Sequence, residues 1–197
     1  MTRRERLLHS LQGKPVDRPA VNFYEVGGFP VNRADTSPFN IYNAPDWQPL
    51  LDLAESESDL IRMKSPATRS VHPELVTAID HSRTWIENGA RFHESIWRVN
   101  GRALTLRTRR DPDLHTIWTL EHRLKDADDA RAYLALPDAF FEQHLDPAPL
   151  AALEAELGDR GLVMVDTPDP LCVVASLFSM ETYTRSEERR VGKECTI

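Results

Sequence analysis

Cysteine is nearly absent from this chain of 197 residues: Cys172 and Cys195 are the two it has, and they define no ligand spacing. A disulfide framework and a cysteine-based metal finger are thereby excluded, and Cys172 is expected to be a reduced, buried thiol. No run of 18 apolar residues occurs. The basic N-terminus Met1-Thr2-Arg3-Arg4-Glu5-Arg6 is followed only by Leu7, Leu8 and Leu11, too little for the apolar region of a leader peptide. A cytoplasmic chain without membrane contact is expected. A basic stripe is missing as well: the formal net charge is −7 at pH 7 and the arginines are scattered among acids, so nucleic acid is not an expected partner. G-x-G-x-x-G, P-loop and G-x-S-x-G motifs do not occur. His72, His81, His93, His115 and His122 never fall as H-x-x-x-H, so no metal site is expected. His93 and His115 read as exposed strand residues.

What is present suffices for a globular core, with 41% hydrophobic and 28% charged residues. Thr2 followed three residues later by Glu5 is a capping box, and Leu7, Leu8 and Leu11 at helical spacing predict a helix over residues 3–12, stopped at Gly13. Prolines 15 and 19 force the next stretch to be extended. A strand is expected from Ala20 to Glu25, broken by Gly27, Gly28 and Pro30, with residues 31–45 a long surface loop. Asp46 is expected to cap a second helix carrying Leu50, Leu51, Leu53 and Ala54, and Asp59–Met63 reads as a short, mostly buried strand.

From Thr84 to His122 the pattern turns to short apolar runs punctuated by Asn88-Gly89, Asn100-Gly101 and Asp111-Pro112, which predicts an inserted antiparallel meander of three or four strands. Helices are expected over 126–134 and 147–157, the second ending at Gly158. Leu162-Val163-Met164-Val165 has the composition of a strand buried on both faces, and residues 166–170 turn from it into a helix near 171–178. Alternating strands and helices make the chain α/β with a parallel sheet, either doubly wound or a barrel. A complete eight-unit barrel takes ~250 residues, so three or four units would be present.

Residues 185–197 stand apart. Arg185 to Cys195 reads R-S-E-E-R-R-V-G-K-E-C, which resembles a translated sequencing adapter. This tail is expected to be foreign to the fold and to pack against nothing specific.

Residues 1–184 resemble the uroporphyrinogen decarboxylase family. The resemblance rests on Thr2-Arg3-Arg4-Glu5-Arg6-Leu7-Leu8, then Gly13, then Val16-Asp17-Arg18-Pro19-Ala20-Val21, on Leu124 to Asp138, and on Pro170 with its apolar helix. It implies the N-terminal half of a TIM-type (β/α)8 barrel, interrupted by the meander at residues 84–122. It also implies departures from the decarboxylases themselves. Where their arginine-rich loop binds a polycarboxylate, this chain has Glu25-Val26-Gly27-Gly28-Phe29, and where their aspartate follows the second strand it has Arg62-Met63-Lys64-Ser65. A carboxylate facing a polyanion repels it. The inserted meander resembles the methyltransferase-like branch of the superfamily, whose full-length members use zinc and a corrinoid, and its uncharacterised branches more than the decarboxylases. A small-molecule, tetrapyrrole or corrinoid substrate is therefore expected for the parent protein, with this chain alone inactive and its open sheet edges prone to self-association. A true decarboxylase of porphyrin biosynthesis and a non-catalytic tetrapyrrole-binding module are the alternatives.

Barrel chemistry sits at the C-terminal ends of strands. That makes Glu25, Asp166 and Asp169 the candidate catalytic residues, with Tyr24, Gly27, Gly28, Arg62 and Lys64 candidates for substrate binding. A solvated loop carboxylate would also account for Glu25, and a helix N-cap for Asp166; Arg62 and Lys64 also fit plain surface cations.

Overall fold

A computed structural model describes residues 1–23, 28 and 31–185. In chain order its elements are α1 (Arg3–Leu11), α2 (Gln48–Glu57), β1 (Leu60–Lys64), β2 (Ala67–Ser70), α3 (Pro73–Ile79), β3 (Asp80–Glu87), β4 (Ala90–Val99), β5 (Arg102–Arg110), β6 (Ile117–Glu121), α4 (Ala127–Leu134), β7 (Gln143–Asp146), α5 (Ala148–Leu157), β8 (Gly161–Val165) and α6 (Pro170–Ser176). The chain is mixed α/β. Its described strands form sheets of two, two and four strands, and no closed barrel is present among them. Two compact units result, one from Met1–Arg69 and His144–Thr167, the other from Ser70–Gln143 and the chain from Pro168 on.

In the first unit α1 begins as its sequence dictates. The Thr2 hydroxyl accepts from the Glu5 N–H at 3.1 Å while the Glu5 carboxylate accepts from the Thr2 N–H at 2.8 Å. β1 and β8 pair in parallel, from Leu60 opposite Gly161 to Lys64 opposite Val165. β2 and β7 form a separate ribbon. Leu7, Leu51, Ala54, Leu60, Met63 and Leu157 are buried.

Three expectations fail in this unit. Of the strand expected over 20–25, residues 20–23 carry no ladder among the described residues, where Val21 pairs with Asp59, its N–H donating to the carboxylate and its carbonyl accepting from the Asp59 N–H; residues 24 and 25 lie outside the described residues. Asp46 does not cap α2. It lies in a 3-10 turn, Pro45–Trp47, that runs directly into the helix, so backbone carbonyls already serve the first donors and Trp47 is the N-cap. β8 is not buried on both faces, since Met164 and Val165 are 41% and 52% exposed; among the described strands its one neighbour is β1.

The second unit holds the meander, four antiparallel strands in the order β3-β4-β5-β6. It starts four residues before the expected Thr84. Both Asn-Gly pairs turn it: φ is 50° and 79° at Asn88 and Gly89, and 48° and 76° at Asn100 and Gly101. Two successive positive φ angles define the turn whose twist matches paired strands. Val99, Leu104, Leu124, Ala132, Leu136 and Phe140 form the core, flanked by Trp97 and Tyr133. Arg123 is buried with it, its guanidinium 3.8 Å from the centre of the Trp97 ring and donating to Leu104 O and Ser95 Oγ.

Two further readings are corrected in this unit. His115 lies in the exposed link between β5 and β6 rather than in a strand, while His93, in β4, is half-buried with Nδ1 3.2 Å from Thr84 Oγ1. Cys172 is exposed, because α6 has no buried residue. Residues 180–185 are helical, and Arg185 pairs with Glu181 at 2.8 Å; Val191, Cys195 and the rest of the tail lie outside the described residues. No helix among the described residues is long and apolar enough to cross a membrane.

Candidate functional site

Parallel pairing of β1 with β8 brings their C-terminal ends side by side, which is where an α/β sheet presents its chemistry. Lys64 closes β1. The next residue, Ser65, donates from its hydroxyl to the Asp166 carbonyl at 3.0 Å and lies 3.4 Å from an Asp166 carboxylate oxygen, while the Asp166 N–H donates to the Lys64 carbonyl at 3.0 Å. Ser65 and Asp166, 101 positions apart, thus form one polar corner of hydroxyl and carboxylate, next in the chain to Lys64. Lys64 and Ser65 are exposed and Asp166 is half-buried, so a ligand has access to all three. A hydroxyl and a carboxylate at one corner can orient a polar group and exchange a proton with it.

The other candidates disperse. Gly28 is buried beside β1, where its carbonyl accepts from the Met63 N–H. Arg62, two residues before Lys64, is half-buried and pairs with Glu55 of α2. Asp169 belongs to the second unit and is the N-cap of α6, its carboxylate accepting from the N–H groups of Leu171 at 2.7 Å and Cys172 at 3.3 Å. The cap considered for Asp166 is therefore made by Asp169. Tyr24, Glu25 and Gly27 lie outside the described residues. No group of three or more His, Cys, Asp or Glu side chains placed to hold a metal occurs among the described residues.

The most elaborate charge cluster of the first unit lies at the opposite strand ends and was not read from the sequence. Asp59, just before β1, is fully buried. Its carboxylate accepts from Arg6 Nη1 at 2.6 Å, Arg18 Nη1 at 2.7 Å and the Val21 N–H at 2.9 Å. Burial works to raise the Asp59 pKa, but hydrogen bonds from Arg18, Val21 and Arg6 outweigh it and hold the carboxyl below its ordinary range. Arg6 also binds Asp17 through two bonds, which drives the Asp17 carboxyl well below the usual range and the Arg6 guanidinium further above its own. A signal was available: an aspartate opening a strand expected to be mostly buried has to be paired, and Arg6 and Arg18 were the partners at hand.

Beside this network is a cleft of about 590 Å³ whose walls include Arg3, Arg6, Arg18, Arg160, Glu55 and Asp159. Its cations have work already: Arg3 donates to Glu55 O and Ser56 O, and Arg160 pairs with Glu55 at 2.6 Å. At the N-terminal ends of parallel strands such a balanced cluster serves stability. Compared with known protein families, curated proteins and solved structures, the chain matches none.

Proposed function

We propose that the chain is the N-terminal part of a (β/α) barrel related to the uroporphyrinogen decarboxylases, from a branch that transfers a methyl group on a corrinoid or tetrapyrrole-type substrate rather than decarboxylating one. The observation that carries the reading is the parallel β1–β8 pair with Lys64, Ser65 and Asp166 at its C-terminal ends. In this reading Lys64 holds an anionic side group of the substrate, and Asp166, braced by Ser65, fixes a polar edge. Decarboxylation is disfavoured because Arg62-Met63-Lys64-Ser65 occupies the stretch where the decarboxylases have their aspartate. The zinc of methyl-transferring relatives finds no fitting donor set among the described residues, and no step is assigned to it. Alone, the chain binds without turning over, and the edge of β8 that no described strand pairs favours self-association.

The test incubates the purified chain with uroporphyrinogen, follows decarboxylation by chromatography, and titrates hydroxocobalamin by absorbance. No decarboxylated product is expected, and corrinoid binding should weaken in Lys64→Ala and Asp166→Ala. Turnover of uroporphyrinogen, or corrinoid binding indifferent to both substitutions, overturns the reading.

A further inference from the structure

Two asparagines precede a glycine, Asn88 before Gly89 and Asn100 before Gly101, and each pair forms the two central residues of a hairpin turn in the meander. All four residues are exposed. Among the described residues neither asparagine side chain nor either glycine N–H makes a hydrogen bond. The asparagines before β1 are engaged instead: Asn22 donates to the Asp59 carbonyl at 2.8 Å, Asn40 to the Asp35 carbonyl at 2.9 Å, and Asn43 to the Asp35 carbonyl as well.

An exposed Asn-Gly pair carries its own chemistry. The glycine nitrogen, losing its proton to solvent base, attacks the asparagine Cγ; the N–Cγ bond forms, the Cγ–Nδ2 bond breaks, and ammonia leaves with a proton from water. Water then opens the succinimide at either carbonyl, leaving aspartate or isoaspartate. Glycine has no Cβ to hinder the attack, and no atom lies within 4 Å of where a Cβ would stand at Gly89 or Gly101. Ring closure needs the glycine nitrogen to swing onto Cγ, which a closed two-residue turn restrains. The rate in the folded chain therefore follows how readily each hairpin end opens.

The two ends differ. Asn88 joins β3, an edge strand among the described ones, to β4. Of the pair that closes this turn, Ala90 is buried but Glu87 is exposed, and the next side-chain lock is the Trp85–Phe92 stack with ring centres 5.3 Å apart. Asn100 joins the two central strands, β4 and β5. The pair that closes it is Val99, part of the core, and Arg102, held by Asp129 at 2.8 Å and Asp126 at 3.2 Å.

We propose that Asn88 is a self-modification site of this protein, losing its amide to water through a succinimide with Gly89 in the folded state, while the anchored turn at Asn100 resists the same reaction. The aspartate product adds a negative charge beside Glu87. The isoaspartate product adds a carbon to the backbone of a two-residue turn, which frays the hairpin end.

The test holds the purified 197-residue chain at mildly alkaline pH and physiological temperature, folded in buffer and unfolded in urea. Peptide mapping by chromatography and mass spectrometry reads the amide-to-acid mass change and separates aspartate from isoaspartate. In urea the two sites should convert at like rates, since glycine follows both. In the folded chain Asn88 should convert at least about tenfold faster; opening free energies run from near zero at fraying ends to the global value, and tenfold is about 1.4 kcal/mol. Arg102→Gln, which releases the second turn, should speed Asn100 alone. Asn88→Gly, which suits the same turn, should abolish conversion in the β3–β4 peptide and leave the Asn100 rate unchanged. Far-UV circular dichroism checks that each variant folds, and the comparison of folded with unfolded chain needs no variant. Equal rates at the two sites in the folded chain, Asn100 ahead of Asn88, or conversion of Asn88 in urea alone overturns the proposal.

Discussion

Replacing Asp59 by alanine should be the most damaging single change in the first unit. The carboxylate has no exposure and collects bonds from Arg6, Arg18 and the Val21 N–H. Its removal leaves the Val21 N–H without that acceptor, at about 1–3 kcal/mol, and cancels charged hydrogen bonds worth about 1.5–3 kcal/mol. Arg6 keeps Asp17, and Arg18, whose side chain is 43% exposed, turns to water, so the total stays near the ~3–5 kcal/mol typical of a broken buried pair. Against a domain stability of about 5–15 kcal/mol that is a large fraction. Urea unfolding followed by circular dichroism reads it: with an m-value of about 2 kcal/mol/M, a loss of about 4 kcal/mol moves the midpoint down by about 2 M. Asp59→Asn gives no full rescue, because its amide NH₂ would face guanidinium donors. A loss under about 1 kcal/mol for Asp59→Ala at unchanged slope would refute the network as a stabilising device.

This network and the Glu94 cluster with Arg83 and Arg107 set the response to acid. Asp59, Asp17 and Glu94 all have folded pKa values below their unfolded ones, Asp17 chiefly through its hydrogen bond from Arg6 and Glu94 chiefly through that from Arg107. The unfolded chain therefore binds protons first on lowering the pH. Their stabilisation should be complete above pH ~5, past the ordinary carboxylate values, and be lost progressively as the pH drops through those values to the depressed ones; a urea midpoint flat from pH 6 to pH 3 contradicts this. Leu104→Ala, at a position with no exposure in the second unit, should cost ~2–5 kcal/mol by the same assay; a loss near zero would mean that the β5 face is not packed. Gly161→Ala should part β1 from β8, since a Cβ there would run into the Leu60 carbonyl, and weakened hydrogen-exchange protection confined to residues 60–64 and 161–165 is the expected signature.

The second unit was the more legible one, because its signals are local. Asn-Gly pairs leave one favoured turn geometry between flanking strands, and the helix starting after Asp126 carries its own N-cap, with the Asp126 side chain accepting from the Asp129 N–H. The errors arose where distant residues decide. Whether Met164 and Val165 are covered depends on which elements lie over β8, and no apolar run states that. Asp46 had the right chemistry for a cap, but Pro45 began a turn that supplied carbonyls first. Cys172 reads as core by type and is exposed because nothing described covers α6. For the site, strand ends at Lys64 and Asp166 were readable from the β-run boundaries; that Ser65 joins them required the β1–β8 register, which pairs strands separated by the whole meander.

This contrast bears on what the resemblance to a decarboxylase family is worth. The stretch that carries it most strongly, from Thr2 through Arg6 to Asp17-Arg18, supplies the capping box of α1 and three of the four charged members of the Asp59 network. Those residues fasten the N-terminal helix and the following extended segment to the start of β1, at the end of the strands where parallel α/β folds keep stability rather than chemistry. A motif conscripted for fastening can accompany any reaction that the same scaffold hosts. In the reading proposed above, likeness in this stretch bears on the scaffold, and the activity rests on Lys64, Ser65 and Asp166 at the opposite strand ends. Substitution separates the two roles: changes at Arg6, Asp17 or Asp59 should move the urea midpoint, while changes at the exposed Lys64 should leave it within about 0.5 kcal/mol and move ligand binding alone.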